Sequence, residues 1–231
     1  MDKLKKYFVY ENCLFTCPSS VQEAGEDTLF LIKNIDFSMC NTCLEIGVGM
    51  GLSAVLAAKQ VNIFHGVDIS GVAVNSTIKN GLINDLNFST DNIFESDCFS
   101  KIKEYRYDII FSNPPQLPTP EQLVRMDEIG LANNGGIFGR NIIDRIINEA
   151  HYFLNKNGYL YLLHFEMCDI NKTIGILKKN GFNTELYVDK TVPFGKLSFE
   201  RLEYIRSFYN NVSKDNNKYY HKIYIIKAKK L

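Results

Sequence analysis

The sequence predicts a doubly wound α/β fold, a mostly parallel sheet with helices covering both faces. Two patterns carry that prediction. Short apolar runs alternate with stretches of helical spacing, and the runs stop at acidic, polar or glycine residues. Size agrees: 231 residues, 45% hydrophobic and 23% charged, describe a single globular domain able to offset the entropy of ordering its chain.

The elements follow in order. Residues 42–46 (Thr-Cys-Leu-Glu-Ile) read as a short buried strand, followed by a glycine loop and a helix over 52–59. A second strand, 61–67, ends at Asp68, and a helix covers 72–80. A short third strand, 92–95, stops at Ser96-Asp97; a fourth, 107–111, runs into Ser112-Asn113-Pro114-Pro115. Residues 140–154 place Ile142, Ile143, Ile146, Ile147 and Ala150 on one helical face. Gly158 opens a fifth strand, 159–165, and a helix over 170–179 closes on Asn180-Gly181. Strands at 183–188 and 222–228 bring the total to seven. Residues 1–40 form an N-terminal extension to a domain spanning 41–231. Residues 195–217 are an insertion, with Phe199, Leu202, Tyr204, Ile205, Phe208 and Tyr209 at helix-like spacing. Such an insertion either lids an acceptor site or packs as a helix at the sheet edge.

Composition narrows the function. Lys+Arg and Asp+Glu are 26 each, which argues against a protein built to grip nucleic acid through phosphates. No apolar run approaches the roughly 18 residues of a membrane-spanning helix. Glu11-Asn12 interrupts the basic start before a signal-peptide core can form. Six cysteines in a chain this long are no disulfide scaffold, and Cys40-x-x-Cys43 lacks a second Cys pair to make a metal site. A reduced, cytoplasmic setting is expected. His65, His151, His164 and His221 form no spaced cluster, and no metal is expected.

Ligands of doubly wound sheets bind beyond the carboxyl ends of the strands, which singles out four places. The first is Glu45-Ile46-Gly47-Val48-Gly49-Met50-Gly51, a glycine turn between strand and helix that lets a ligand approach backbone N–H groups. A dinucleotide loop would need glycine at 52, where this chain has leucine. The Glu45 carboxylate suits a cationic amine or sulfonium. The second is Asp68, 23 residues on, able to accept both hydroxyls of a ribose. The third, Asp97-Cys98, offers a carboxylate and a backbone N–H to an adenine edge. The fourth is Asn113-Pro114-Pro115, where two prolines stop sheet and helix alike. There the Asn113 amide oxygen and the Pro114 carbonyl can both accept from one primary amide or exocyclic amine, orienting its nitrogen.

These motifs resemble class I S-adenosylmethionine-dependent methyltransferases of the Asn-Pro-Pro branch. That branch holds the HemK-like release-factor glutamine methyltransferases and the amino-methyltransferases of nucleic acid bases. The resemblance spans roughly residues 14–190. It includes Pro18 with Glu26-Asp27-Thr28-Leu29 ahead of the first strand. It also includes Gly135-Gly136-Ile137-Phe138-Gly139-Arg140-Asn141-Ile142-Ile143-Asp144-Arg145 after the Asn-Pro-Pro loop. It implies a Rossmann-like fold whose seven-stranded sheet has an antiparallel final strand. It also implies S-adenosylmethionine as cofactor, with Glu45, Gly47, Gly49 and Gly51 around its methionine part. Asp68 would hold the ribose and Asp97 and Cys98 the adenine, with Thr28 and Ile69 also binding the cofactor. Asn113 and Pro114 would hold the nitrogen to be methylated, with Pro115 and Gln116 beside the acceptor. No metal or covalent intermediate is implied.

The chain departs from the branch at Gln116, where the relatives place an aromatic ring that packs on a flat acceptor. Glutamine instead suits an acceptor with polar edges, which weakens a nucleobase reading. A protein glutamine is the expected acceptor, with a small metabolite as alternative. A nucleotide-binding oxidoreductase or silent cofactor-binding subunit is the competing class. Asp144 and Arg145 are expected as loop anchors or an exposed pair, and the basic residues 227–231 as a solvated end.

Overall fold

A computed structural model of the chain describes residues 4–231. The extension opens as a β-hairpin, β1 (Leu4–Tyr10) with β2 (Cys13–Pro18), followed by α1 (Glu26–Lys33). The main unit then runs β3 (Thr42–Ile46), α2 (Leu52–Ala58), β4 (Ile63–Asp68), α3 (Gly71–Ile83), β5 (Ile93–Glu95) and β6 (Tyr107–Ser112). After α4 (Glu128–Asn133) and α5 (Asn141–Phe153) come β7 (Leu154–Phe165), α6 (Ile170–Lys179) and β8 (Phe182–Pro193). The insertion holds α7 (Lys196–Glu200), α8 (Leu202–Arg206) and β9 (Ser213–Asp215) before the last strand, β10 (Lys218–Lys230).

The sheet order is β5-β4-β3-β6-β7-β10-β8. The strands from β5 to β7 are parallel, and β10 inserts antiparallel between β7 and β8. All seven expected strands are present, the last one antiparallel; β9 adds a short hairpin arm beside β10. β3 sits where the winding reverses direction, so both its faces are covered and residues 43–46 are buried. One apolar layer joins α1, α2 and α3 to the sheet through residues such as Leu31, Val55, Val74 and Phe111. The other joins α5 and α6 through Ile143, Ile146, Ile147 and Leu177.

In the sequence the hairpin shows only as part of an extension. It is docked by two asparagines one turn apart, Asn80 on α3 and Asn84 at its C-cap. Asn80 accepts from Thr16 N–H (2.9 Å) and donates to Thr16 C=O (2.8 Å). Asn84 does the same with Leu14 (2.9 and 2.8 Å). Two side-chain amides thereby do for the edge of β2 what another strand would do, giving the Leu14 and Thr16 backbone groups their partners.

The six cysteines are free thiols, with Cys43 fully buried in β3. Among the described residues no group of His, Cys, Asp and Glu could hold a metal ion, and no helix is long and apolar enough to cross a membrane.

Candidate active site

The glycine loop leaves β3 and folds over the end of β4, its Gly47 and Val48 N–H groups donating to the Val67 carbonyl at 2.7 and 3.1 Å. A Cβ added at Gly47 or Gly49 meets nothing within 4 Å, so this backbone borders open space. Gly51 behaves differently. Its φ is +91°, and a Cβ there would lie 2.8 Å from the Thr77 Cα. It lies outside the cavity lining. Glycine is required at 51 because α2 starts hard against α3.

A cavity of about 330 Å³ lies beyond the carboxyl ends of β3, β4 and β6. It gathers Glu45, Gly47, Gly49, Asp68, Ile69, Asp97, Cys98, Asn113, Pro114, Pro115, Gln116 and Thr28, every candidate except Gly51. Residues 20–25 of the extension and Glu128, Leu131 and Asn133 of α4 also line it, and none of these stood among the candidates of the sequence. A signal for α4 existed in Asp127-Glu128, an N-cap side chain that accepts from Gly130 N–H at 2.8 Å, followed by a first-turn acid.

Glu45 is 3% exposed. One carboxylate oxygen accepts from the Ser53 hydroxyl, while the other, Oε2, is buried with no hydrogen-bond partner among the described residues. Burial pushes its carboxyl up to about 8; the Ser53 hydrogen bond opposes that rise and the neighbouring Asp68 adds to it. Asp68 closes the loop, accepting from Gly49 N–H at 2.9 Å and from Ser70 N–H at 3.0 Å. Burial raises its carboxyl too, and the Ser70 and Gly49 bonds pull the other way. Ile69 is largely exposed beside it at the cavity. Asp97 pairs with Arg145 at 2.5 Å, so Arg145 anchors this turn as the loop-anchor expectation had it. The neighbouring Asp144 pairs with Arg140 at 2.6 Å.

At the fourth strand end, Asn113 Nδ2 donates to Thr28 Oγ1 at 3.1 Å. Thr28 thus faces the Asn113 amide across the cavity rim, a contact absent from its expected role beside the cofactor. Among the described residues, no protein donor meets the Pro114 carbonyl oxygen. Gln116 is 3% exposed, its Oε1 accepts from Phe165 N–H at 2.7 Å, and its Nε2 donates to the Leu163 carbonyl at 3.2 Å. The end of β7 thus takes the Gln116 amide oxygen and one of its N–H groups, while the residue still lines the cavity.

The glycine-rich stretch after the loop clamps it from behind. A Cβ at Gly139 would lie 2.4 Å from the Gln116 carbonyl oxygen, and Cys168 Sγ donates to that same oxygen at 3.1 Å. The insertion packs here as well. Arg201 donates to Thr119 Oγ1 at 2.7 Å, Tyr204 to the Ile137 carbonyl at 2.9 Å, and Phe208 meets Phe138 edge-on. No residue of 195–217 lines the cavity; the insertion backs the 117–140 segment and also meets the sheet at β10, with Phe199 against Tyr219.

A family model described as the methyltransferase small domain matches residues 19–125. The chain is 37% identical to a Methanocaldococcus jannaschii protein whose name proposes it as a protein N5-glutamine methyltransferase, over 77% of this chain and 88% of that one. It is 31% identical to the release factor glutamine methyltransferase of Geobacter sulfurreducens, over 60% of this chain and half of that longer protein. Among solved structures, the E. cuniculi Mtq2–Trm112 complex, described as responsible for methylating the eRF1 termination factor, matches with a TM-score of 0.59. That match is at 21% identity and covers 92% of this chain and 99% of the matched one.

Proposed function

From the premise that the chain belongs to the HemK-like family of S-adenosylmethionine-dependent methyltransferases, we propose that it methylates the side-chain amide nitrogen of a glutamine in a polypeptide. The observation that carries the reading is that Asn113 and Pro114, whose carbonyl meets no protein donor among the described residues, line one cavity together with Glu45, Gly47 and Gly49.

The residues present fit the cofactor. Glu45 Oε2 is a buried acceptor without a donor, which a cationic amine would satisfy. The open backbone at Gly47 and Gly49 admits the methionine part, Asp68 keeps lone pairs for ribose hydroxyls, and Ile69 with Asp97 and Cys98 borders the space for adenine. When bound, S-adenosylmethionine supplies an electrophilic methyl group on a sulfonium. Asn113 Oδ1 and the Pro114 carbonyl accept the two N–H bonds of the acceptor amide, which raises electron density on its nitrogen and aims its lone pair. Held this way by Asn113 and Pro114, the nitrogen would be placed to take the methyl group and give up one N–H proton to water.

A polypeptide is favoured over an enclosed metabolite because no residue of the insertion lines the cavity and Leu131 of its lining is an exposed apolar side chain. A cytoplasmic setting goes with a protein acceptor and six free thiols. Incubation with methyl-labelled S-adenosylmethionine and a panel of glutamine-containing peptides tests the proposal. Methylated glutamine in the peptide fragments is expected. Label on other residues, on small molecules alone, or on nothing would overturn it.

A further inference from the structure

Resting on that reading, we infer that Gln116 is a positioning residue which fixes the polarity of the Asn113 amide, and that Thr28 is a second positioning residue which receives the NH₂ end so selected. A carboxamide has two ends of nearly equal shape. With its NH₂ end toward the acceptor, Asn113 would oppose donor to donor, so a second set of contacts must choose the end.

The choice begins in the backbone of β7, whose polarity cannot change. Phe165 N–H only donates, so the Gln116 atom 2.7 Å away is the oxygen. The Leu163 carbonyl only accepts, so the atom 3.2 Å from it is the nitrogen. Both assignments agree, and with Gln116 3% exposed no water competes for either end. Gln116 Nε2 carries a second hydrogen, directed at Asn113 at 3.5 Å, so the near end of that amide is Oδ1. The Asn113 NH₂ end is then turned to Thr28 Oγ1 at 3.1 Å, which accepts. Oδ1 keeps a second lone pair for an acceptor N–H.

The carboxylate introduced by Gln116→Glu still accepts from Phe165 N–H but has no hydrogen for Asn113. Expected is a cofactor Kd within a few-fold of the parent, while turnover on a glutamine peptide falls about 10–100-fold at neutral pH. Relative to the parent at each pH, turnover recovers as acid returns a proton, and with it a donor, to the new carboxyl. Gln116→Met, similar in volume and without a donor, shows the loss and no recovery. Thr28→Ser keeps turnover and Thr28→Val does not. Independently of any acceptor, the Asn113 side-chain ¹⁵NH₂ protons exchange about tenfold faster in Thr28→Val than in the parent or Thr28→Ser. The inference is overturned if Gln116→Glu and Gln116→Met behave alike at every pH, or if Thr28→Val leaves that exchange unchanged. If the parent methylates no glutamine peptide, the acceptor assignment fails, and the exchange measurement still decides the relay.

Discussion

Glu45 shows how one buried atom links stability to ligand. Its folded-state value, about 8, lies above its ordinary 4.5, so the folded chain retains a proton that the unfolded chain has released. The ligand-free protein should therefore lose stability as pH climbs between those two values, by on the order of a few kcal/mol in all. Melting temperatures measured across that range should fall more steeply for the parent than for Glu45→Gln; parallel slopes would refute the assignment. A cationic group beside Oε2 favours the ionised form. Binding of S-adenosylmethionine should then release a proton near neutral pH, visible by calorimetry as a buffer-dependent heat, and affinity should rise toward pH 8. Asn113→Ala should leave cofactor affinity within a few-fold and cut turnover by orders of magnitude, because it removes an acceptor contact. Asp68→Ala should do the converse, weakening the cofactor by about 1.5–3 kcal/mol as charged hydrogen bonds are lost. Equal effects of the two on cofactor affinity would contradict their division of labour.

Among elements, the hairpin and α4 matter most, since the extension that the hairpin opens and α4 both contribute to the cavity wall. Asn80 ties that wall to the loop itself, donating to Met50 C=O at 2.7 Å while pairing with Thr16 of β2. Asn80→Ala leaves buried groups on both sides without partners. It should cost about 2–3 kcal/mol in urea unfolding and weaken cofactor binding as well; a variant as stable as the parent would exclude this role. The strands and helices of the main unit were legible because each carries its period and its stop signal: Asp68 ends β4, and Asn180-Gly181 ends α6. The hairpin was not, because Asn80 and Asn84 read locally as ordinary polar residues of a helix. Only the meeting of α3 with β2, some sixty residues earlier in the chain, reveals what they pair with.

Across the whole molecule, the sheet order brings residues from the extension, β3, β4, β6 and α4 to one cavity, while the insertion and β9 extend the opposite flank. The insertion acts at a distance, through Arg201, 6% exposed and bonded to Thr119. Arg201→Met should speed proteolysis within residues 117–140, leave cofactor affinity within a few-fold and lower turnover. Unchanged cleavage would remove the insertion from the support of that segment.

Local composition determined the αβ alternation, the glycine turn, the acids that end two strands and the Asn-Pro-Pro stop, because periodicity, backbone freedom and proline geometry act over a few neighbours. Tertiary contact alone decided that Gly51 serves packing, that Gln116 spends its amide on β7, and that Thr28 faces Asn113. Those assignments depend on which partner a polar group meets once water is excluded, and the partner lies between 26 and 85 residues away along the chain.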